Sequence, residues 1–183
     1  GEAGAEFWQS QREIICHGEV EDIDDKLFIT NYSSICRIRK DYMDTPDDLD
    51  HKPLNEWCWG DPDTGKSWYV RETYPGFYDK MLNKWWDGYQ QESVVLLDDF
   101  DHNHKCLGSH LKRWADRYSF KVEIKLTALN IRPERIIVTS NYHPDSIWAE
   151  DKQLCWAIKR RFKIMHFRKL GQPPIVEAPG GAL

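Results

Sequence analysis

The clearest chemical pattern in this chain is the octapeptide GDPDTGKS at residues 60–67, which fits G-x-x-x-x-G-K-[ST] at every fixed position. Gly60 and Gly65 permit a tight turn that aims backbone N–H groups inward at the start of a helix, where a phosphate binds. In such a loop Lys66 meets the β- and γ-phosphates of a nucleotide, and the Ser67 hydroxyl holds Mg²⁺. The pattern therefore predicts a P-loop.

A pair of carboxylates follows the apolar run VVLL, about thirty residues after the loop. Alone, this pattern is more typical of a strand that ends in a turn. After a P-loop the interpretation reverses, because nucleotide hydrolysis needs one carboxylate to hold the metal's water shell and another to deprotonate the attacking water. We assign the metal role to Asp98 and the general-base role to Asp99.

A third polar residue, Asn141, ends the apolar run IIVTS. At the carboxyl edge of a parallel sheet its amide would hydrogen-bond the γ-phosphate and the attacking water, and so sense whether phosphate is present. Without the other motifs, Asn141 would simply open the turn before His143-Pro144. The loop also carries Asp61 and Asp63, which either point outward or weaken the affinity for a triphosphate.

The elements that position these residues alternate along the chain, which predicts an α/β fold with a parallel sheet and helices on both of its faces. The predicted elements are a strand at 57–59, a helix near 66–73, a strand at 93–97, a helix at 104–117, and strands at 120–124 and 135–140. In the helix 104–117, Leu107, Leu111 and Trp114 are expected to form the buried stripe, with Tyr118 just beyond.

Ahead of this fold, residues 22–43 predict one amphipathic helix with its apolar positions three and four apart, namely Phe28, Tyr32, Ile35, Ile38 and Tyr42. We divide the chain into a junction remnant or cloning scar at 1–19, a helical segment with its linker at 20–52, a P-loop domain at 53–170 and a disordered tail at 171–183. The Pro- and Gly-rich sequence of the tail indicates disorder.

The composition of the chain argues against several classes of protein. The 183 residues are 40% hydrophobic and 30% charged, with a net charge of -5, which argues against binding nucleic acid with the whole surface. The five cysteines are widely spaced and indicate reduced thiols in an intracellular protein. No run of about 20 apolar residues predicts a membrane span.

Together with these motifs, the segments NKWWDGYQ, VVLLDDFD, LKRWADRYSFKVEIK and IIVTSNYHP make the chain similar to replication initiator (Rep) proteins of circovirus-like single-stranded DNA viruses. The resemblance covers roughly residues 20–168 and is to their superfamily 3 helicase domain, a P-loop (AAA+-like) fold preceded by a small helical oligomerisation segment. It implies an ATP-dependent 3′-to-5′ DNA helicase that uses Mg²⁺, works as a homohexameric ring on single-stranded DNA and acts in the host cell nucleus.

The resemblance also implies site residues. It assigns Gly60, Gly65, Lys66 and Ser67 to the Walker A site, Asp98 and Asp99 to Walker B, and Asn141 to the sensor. It implies that Arg161, rather than Arg160, is the finger presented to a neighbouring subunit's ATP; from the residues alone, an Arg pair is more often solvated surface. A DNA-gripping hairpin is implied after strand 120–124, with Lys125 as its first candidate and Lys121 and Arg132 next.

Three departures from the family pattern are visible. Asp63 stands where Gly or a small residue is usual, and Leu126-Thr127 replaces the usual Gly pair after the hairpin lysine. The N-terminal nickase domain typical of the full-length proteins is not among these residues, so we expect a helicase fragment. One alternative is a nucleotide-dependent assembly module with little hydrolysis. Another, a small-molecule kinase, is disfavoured because no second basic cluster could close over an acceptor.

Overall fold

The computed structural model describes residues 1–125 and 127–178, and the chain divides between Thr45 and Pro46 into two compact units. The first unit holds three helices: α1 (Glu2–His17), α2 (Asp25–Thr30) and α3 (Tyr32–Asp41). A small core joins them through Ile15, Ile23 and Ile35. The boundary lies within the linker predicted from the sequence, but the helical unit starts at residue 1, not at residue 20.

The single helix predicted over 22–43 is wrong in one respect, because it is broken at Asn31. The N–H of Asn31 closes α2 on the carbonyl of Leu27, and its side-chain amide donates to the same carbonyl and to Thr30 Oγ1. Asn competes with the helix ladder in this way, so the chain turns there. Of the predicted apolar stripe only Ile35 is fully buried, while Tyr32, Ile38 and Tyr42 stay exposed.

The second unit follows the predicted alternation of strands and helices. In chain order its elements are β1 (Asn55–Trp59), α4 (Lys66–Thr73), β2 (Tyr78–Asp79), β3 (Val94–Phe100), α5 (Gly108–Trp114), β4 (Phe120–Ile124), β5 (Thr127–Ile131), β6 (Arg135–Ser140), α6 (Pro144–Ile147), α7 (Lys152–Lys159), β7 (Phe162–His166) and β8 (Ile175–Val176). Within the described residues, six strands form one sheet in the order β2-β3-β6-β1-β7-β8.

The first five strands of this order are parallel, and both faces of the sheet are covered, as predicted. Neighbouring residues of β1 point to opposite faces. Trp57 joins a core with Leu111 of α5 and Ile158 of α7, whereas Cys58 joins a second core with Val70 of α4. Strands buried on both faces must be apolar throughout, which explains the continuous runs VVLL and RIIV.

The larger differences from the prediction concern one helix and the tail. The helix expected over 104–117 is a 3-10 turn at His102–Leu107 followed by α5, which already ends at Trp114. Leu107, Leu111 and Trp114 of its predicted stripe are buried, whereas Tyr118 is exposed. Part of the tail predicted to be disordered is ordered, because Ile175 and Val176 pair antiparallel with the edge strand β7 and satisfy its free backbone groups. Residues 179–183 of that tail lie outside the described residues.

Candidate functional site

The P-loop connects β1 to α4 at the carboxyl edge of the sheet. Gly60 has φ +150° and lies so close to the next turn that a Cβ would stand 2.1 Å from the carbonyl oxygen of Phe167. Gly65 has φ +93° in the left-handed region and caps the N-terminus of α4. Both positions therefore require glycine, as the motif predicts, and the loop leads into the helix N-terminus that a phosphate would face.

Lys66 lies folded back on its own loop and is buried. Its Nζ donates to the carbonyl oxygens of Gly60 and Asp61, each at 2.7 Å, and to Asn141 Oδ1 at 3.3 Å. Burial lowers the pKa of Lys66, while the carboxylates of Asp61 and Asp99 act in the opposite direction. These hydrogen bonds therefore hold the Lys66 ammonium group inside the loop. Phosphate oxygens bound in the loop would accept the same N–H donors in place of the carbonyls.

Asp98 is placed by the neighbouring strand, as the sequence predicts, but through a residue that the sequence analysis missed. Thr139 of β6 is buried, and its hydroxyl donates to Asp98 Oδ1 at 2.6 Å and accepts the Asp99 N–H at 2.9 Å. The Ser67 hydroxyl lies 3.5 Å from the same Asp98 oxygen. A polar residue inside the apolar run IIVTS is the signal that could have identified Thr139.

Asp99 differs from Asp98 in its backbone and exposure. Its φ is +58°, and the β3–β6 register shifts between Leu97 and Phe100, so a bulge carries the acidic pair. Asp98 is half-buried beside Thr139, whereas the Asp99 side chain is exposed. Bulges of this kind turn side chains at sheet edges, and this one gives two adjacent carboxylates different surroundings.

Asn141 follows β6, which lies between β1 and β3 in the sheet. This order brings the end of β6 next to both the P-loop and the acidic pair, and the Asn141 amide oxygen accepts the hydrogen bond from Lys66. All the residues assigned to phosphate chemistry within one subunit thus meet at one edge. In open α/β sheets, ligands bind at the carboxyl ends of the strands, at the point where the strand order changes direction.

The donor set around Asp98 suits Mg²⁺ but no softer metal. It offers a carboxylate oxygen and the hydroxyl of Ser67, which are hard oxygen ligands. Among the described residues, no group of three or more His, Cys, Asp or Glu side chains could by itself hold a metal ion. That is the arrangement expected where one carboxylate and the phosphates of a nucleotide share the ion.

The predicted hairpin is present: β4 and β5 pair antiparallel, with Phe120 opposite Ile131 and Ile124 opposite Thr127. Lys121 is exposed on β4, and Lys125 is exposed at the turn. The NKWWDGYQ segment holds this hairpin, because Trp86 donates its backbone N–H to Glu123 and Asp87 accepts the Lys125 N–H at 2.7 Å. The segment that carries the family resemblance therefore positions the hairpin tip.

Arg132, the third residue predicted to contact DNA, is engaged at the end of α5. Its guanidinium donates to the carbonyl oxygens of Trp114, Asp116 and Tyr118, and it stacks on the Phe120 ring at 5.0 Å. These bonds satisfy the last carbonyl of α5 and two carbonyls just beyond it, as a helix end requires. Burial lowers the pKa of Arg132 to about 10. Arg132 thus caps the end of α5, and its contact with DNA stays a prediction.

Arg161 is not brought to the P-loop of its own chain. It immediately precedes β7, at the amino edge of the sheet, and donates to Asp116 Oδ2 at 3.0 Å and to the Ala157 carbonyl at 2.9 Å. Burial acts against ionisation of Asp116, but hydrogen bonds from the Arg117 N–H and Arg161 lower its pKa. The adjacent Arg160 is exposed and lies over the Trp156 ring.

Comparison with known proteins places this site in a family. Residues 56–142 match the RNA helicase family model, and this segment holds the P-loop, the acidic pair, the hairpin and Asn141. In the part of the chain that the structure describes, no helix is long and apolar enough to cross a membrane.

Similarity to curated proteins points the same way. The chain is 39% identical over 103 residues to the replication-associated protein of Beak and feather disease virus, covering 56% of this chain and 35% of that protein. It is 41% identical over 105 residues to that of Pigeon circovirus, covering 56% and 32%. It is 34% identical over 127 residues to that of Porcine circovirus 1, covering 67% and 40%.

The chain thus spans about a third of the length of the curated relatives it matches. The resemblance inferred from the sequence is confirmed: the chain is a relative of the circovirus replication-associated proteins, and residues 56–142 are a helicase-type domain.

Proposed function

We propose that this chain is the ATP-dependent, 3′-to-5′ DNA helicase part of a viral rolling-circle replication initiator, acting as a homohexameric ring in the host nucleus. The observation that carries the proposal is the convergence of Lys66, Asp98 and Asn141 at one sheet edge, with β6 inserted between the strands of the other two. This arrangement supports hydrolysis, because it sets the loop beside a carboxylate pair in which Asp98 accepts a hydrogen bond from Thr139.

In the proposed reaction Lys66 exchanges its loop carbonyls for the β- and γ-phosphate oxygens of ATP. Ser67 and Asp98 would hold Mg²⁺, which when bound neutralises phosphate charge. Asp99, exposed beside the loop, accepts a proton from the water that attacks the γ-phosphorus, and ADP leaves with the electrons of the broken P–O bond. Asn141 orients that water, and its present hydrogen bond to Lys66 supports a role in sensing the phosphate.

Single-stranded DNA is the proposed partner of the β4–β5 hairpin. Lys121 and Lys125 are exposed there and make no ion pair among the described contacts, although the chain as a whole is acidic. Six copies would set about a dozen lysines around one strand, which is enough for salt-dependent backbone binding. A ring therefore reconciles the net charge of -5 with DNA binding.

Self-assembly is supported by the first unit. Its small core leaves large apolar side chains between 42% and 76% exposed, namely Phe7, Trp8, Ile29, Tyr32 and Tyr42. Exposed apolar surface of this kind marks protein contacts. In the assembled ring Arg161 would leave Asp116 and reach the ATP of a neighbouring copy.

A second candidate function is an assembly module that binds nucleotide with little hydrolysis. The observation that favours it is the P-loop itself, where Lys66 is already bonded to loop carbonyls and two exposed carboxylates, Asp61 and Asp63, stand beside the phosphate site. Such a module would need ATP to assemble but would turn it over no faster with DNA.

One experiment separates the two functions. ATP hydrolysis is measured with and without single-stranded DNA, on protein whose mass is determined by light scattering in the same buffer. The helicase proposal expects an oligomer whose turnover rises with DNA. An ATP-dependent oligomer with negligible turnover in both conditions would support the assembly module, and a monomer that ignores DNA would contradict both.

A further inference from the structure

The P-loop has an apolar flank that phosphate binding does not explain. A cavity of about 300 Å³ opens beside the loop, and its walls are residues 63–68 together with Leu170. Trp68 and Leu170 are each 67% exposed, although both are large apolar side chains. Exposed apolar groups that line a cavity next to a polar site are typical of a ligand pocket.

These two side chains hold fixed places relative to the phosphate loop. Trp68 lies in the first turn of α4, two residues after Lys66. Leu170 follows the strand β7 and lies over Gly65, since its Cδ1 would stand 3.3 Å from a Cβ built on that glycine. A nucleotide whose phosphates occupy the loop must extend its sugar and base away from it, and this cavity adjoins the loop.

The polar side chains of the cavity already have other partners. The Thr64 hydroxyl donates to the Asp61 carbonyl, Lys66 donates to loop carbonyls, and the Ser67 hydroxyl faces Asp98. The side-chain surface left for the rest of a nucleotide is therefore the Trp68 indole, the Leu170 methyl groups and the edge of Asp63. Aromatic stacking accepts any base, because every base has a π-face.

We propose that Trp68 and Leu170 form the nucleobase subsite of this P-loop, which holds the base by stacking and apolar contact and discriminates weakly between adenine and guanine. This subsite rests on the proposed nucleotide binding. In this proposal Trp68 gives a nucleotide a contact that a bare polyphosphate lacks. Any preference for one nucleotide over another then comes from this subsite and not from the phosphate-binding residues.

The test compares ligands with and without a base. Equilibrium affinities for ATP, GTP and inorganic tripolyphosphate, each with Mg²⁺, are measured by calorimetry on the full chain and on Trp68→Ala, Trp68→Phe and Leu170→Ala. The matched control is Trp156→Ala, which removes a Trp that is 50% exposed on α7. Because residue 68 is exposed, its substitution should leave the fold intact, and a thermal melt of each variant checks this.

The expected result is that Trp68→Ala weakens ATP and GTP alike by about tenfold, the effect of one lost base stack. Tripolyphosphate affinity stays unchanged, Trp68→Phe retains most of the wild-type affinity, and Leu170→Ala loses less than Trp68→Ala. Equal affinity of Trp68→Ala and wild type for ATP would overturn the subsite, as would a parallel loss for tripolyphosphate or a wild-type preference of a hundredfold for one purine.

Failure of the subsite and failure of the phosphate site give different results. Wild-type protein that binds tripolyphosphate and ATP equally well keeps the P-loop but overturns the base contact. Wild-type protein that binds neither ligand overturns the proposed nucleotide function, and the subsite with it.

Discussion

At the scale of single residues, the residues proposed for binding and for hydrolysis lie in different surroundings. Lys66 is buried in the loop, whereas Asp99 is exposed on a bulge within β3. Lys66→Ala should therefore abolish ATP binding and turnover together, while Asp99→Asn should keep ATP bound and lower turnover by about 10²- to 10⁴-fold, the usual contribution of a general base. Calorimetry and a phosphate-release assay measure the two effects, and equal loss of binding in both variants would contradict the division of roles.

The loop carboxylates give a second prediction at this scale. Asp63 is exposed with φ +62°, a left-handed conformation that Asn also tolerates and Gly adopts freely. Asp63→Asn removes the negative charge and should strengthen Mg-ATP binding about fivefold, since repulsion between such charges near a surface is on the order of 1 kcal/mol. Asp63→Gly should strengthen it at least as much.

Asp61→Asn is the companion variant, because its side chain is exposed on the same loop and the loss of its charge should act in the same direction. An affinity that does not change in Asp63→Asn would mean that this carboxylate points away from the phosphates.

Sequence reasoning identified the residues whose types and spacing are set by phosphate chemistry. It missed the contacts that depend on how distant segments of the chain pack together. The spacing of Gly60, Gly65 and Lys66 follows from the turn a phosphate needs, and the structure builds that turn. The contacts of Thr139 and Arg132 depend on which strands and helix ends lie next to one another, and a local pattern does not contain that information.

At the scale of helices and strands, the sequence likewise predicted some elements and missed others. Strands β4 and β6 have the predicted bounds, because β4 alternates apolar and charged residues and β6 is built on the short apolar run IIV. The helix α1 was not predicted, since of the two positions it buries only Ile15 is apolar, so its sequence has a weak helical pattern. A helix whose stability comes from tertiary packing leaves such a weak signal.

Lys80, which follows β2, is a buried lysine whose surroundings support a prediction on stability. It is 2% exposed, and its Nζ donates to the carbonyls of Met81, Asn83 and Trp85 while facing the Trp86 and Trp114 rings. Burial lowers the pKa of Lys80 to about 7, against about 10.4 in the unfolded chain. Between these values the unfolded chain binds more protons, so this residue adds to the free energy of unfolding as the pH rises.

Urea unfolding in reducing buffer at pH 7 and pH 9 checks this for wild type and Lys80→Met. The wild type should gain more stability between the two pH values than the variant, and at pH 7 the variant should be less stable by about 2 kcal/mol because three buried carbonyls lose their donor. Equal gains in the two proteins would contradict the low pKa of the buried ammonium.

The hairpin gives the second prediction for an element. If Lys125 contacts one DNA phosphate, Lys125→Ala should lower the slope of log affinity against log salt by about 0.7 and leave basal ATP hydrolysis unchanged. Fluorescence anisotropy with labelled single-stranded DNA measures the slope at several salt concentrations. Lys112→Ala, exposed on α5, is the control, and an unchanged slope in Lys125→Ala would transfer the contact to Lys121.

At the scale of the whole molecule, the proposed phosphate site lies at one edge of the sheet and Arg161 lies at the other. The proposed hydrolysis needs both of them at one nucleotide. Among the described residues of one chain nothing brings them together, because β7 separates Arg161 from the carboxyl edge. The proposed ring would solve this by setting the amino edge of one copy beside the carboxyl edge of the next. Arg161 would then act in trans, as in other systems where an arginine acts on a neighbour's nucleotide.

Mixing two inactive variants tests this directly. Lys66→Ala keeps an intact Arg161, and Arg161→Ala keeps an intact P-loop, so a mixed ring contains interfaces where both are intact. With free exchange and an equal ratio, about a quarter of the interfaces pair the two, and a finger worth about 10³ or more in rate makes that recovery easy to measure. Arg160→Ala, exposed beside it, is the control and should be active alone. If energy transfer between two differently labelled variants shows that the subunits exchange while the mixture stays inactive, Arg161 does not act in trans, and its ion pair with Asp116 is its role in the molecule.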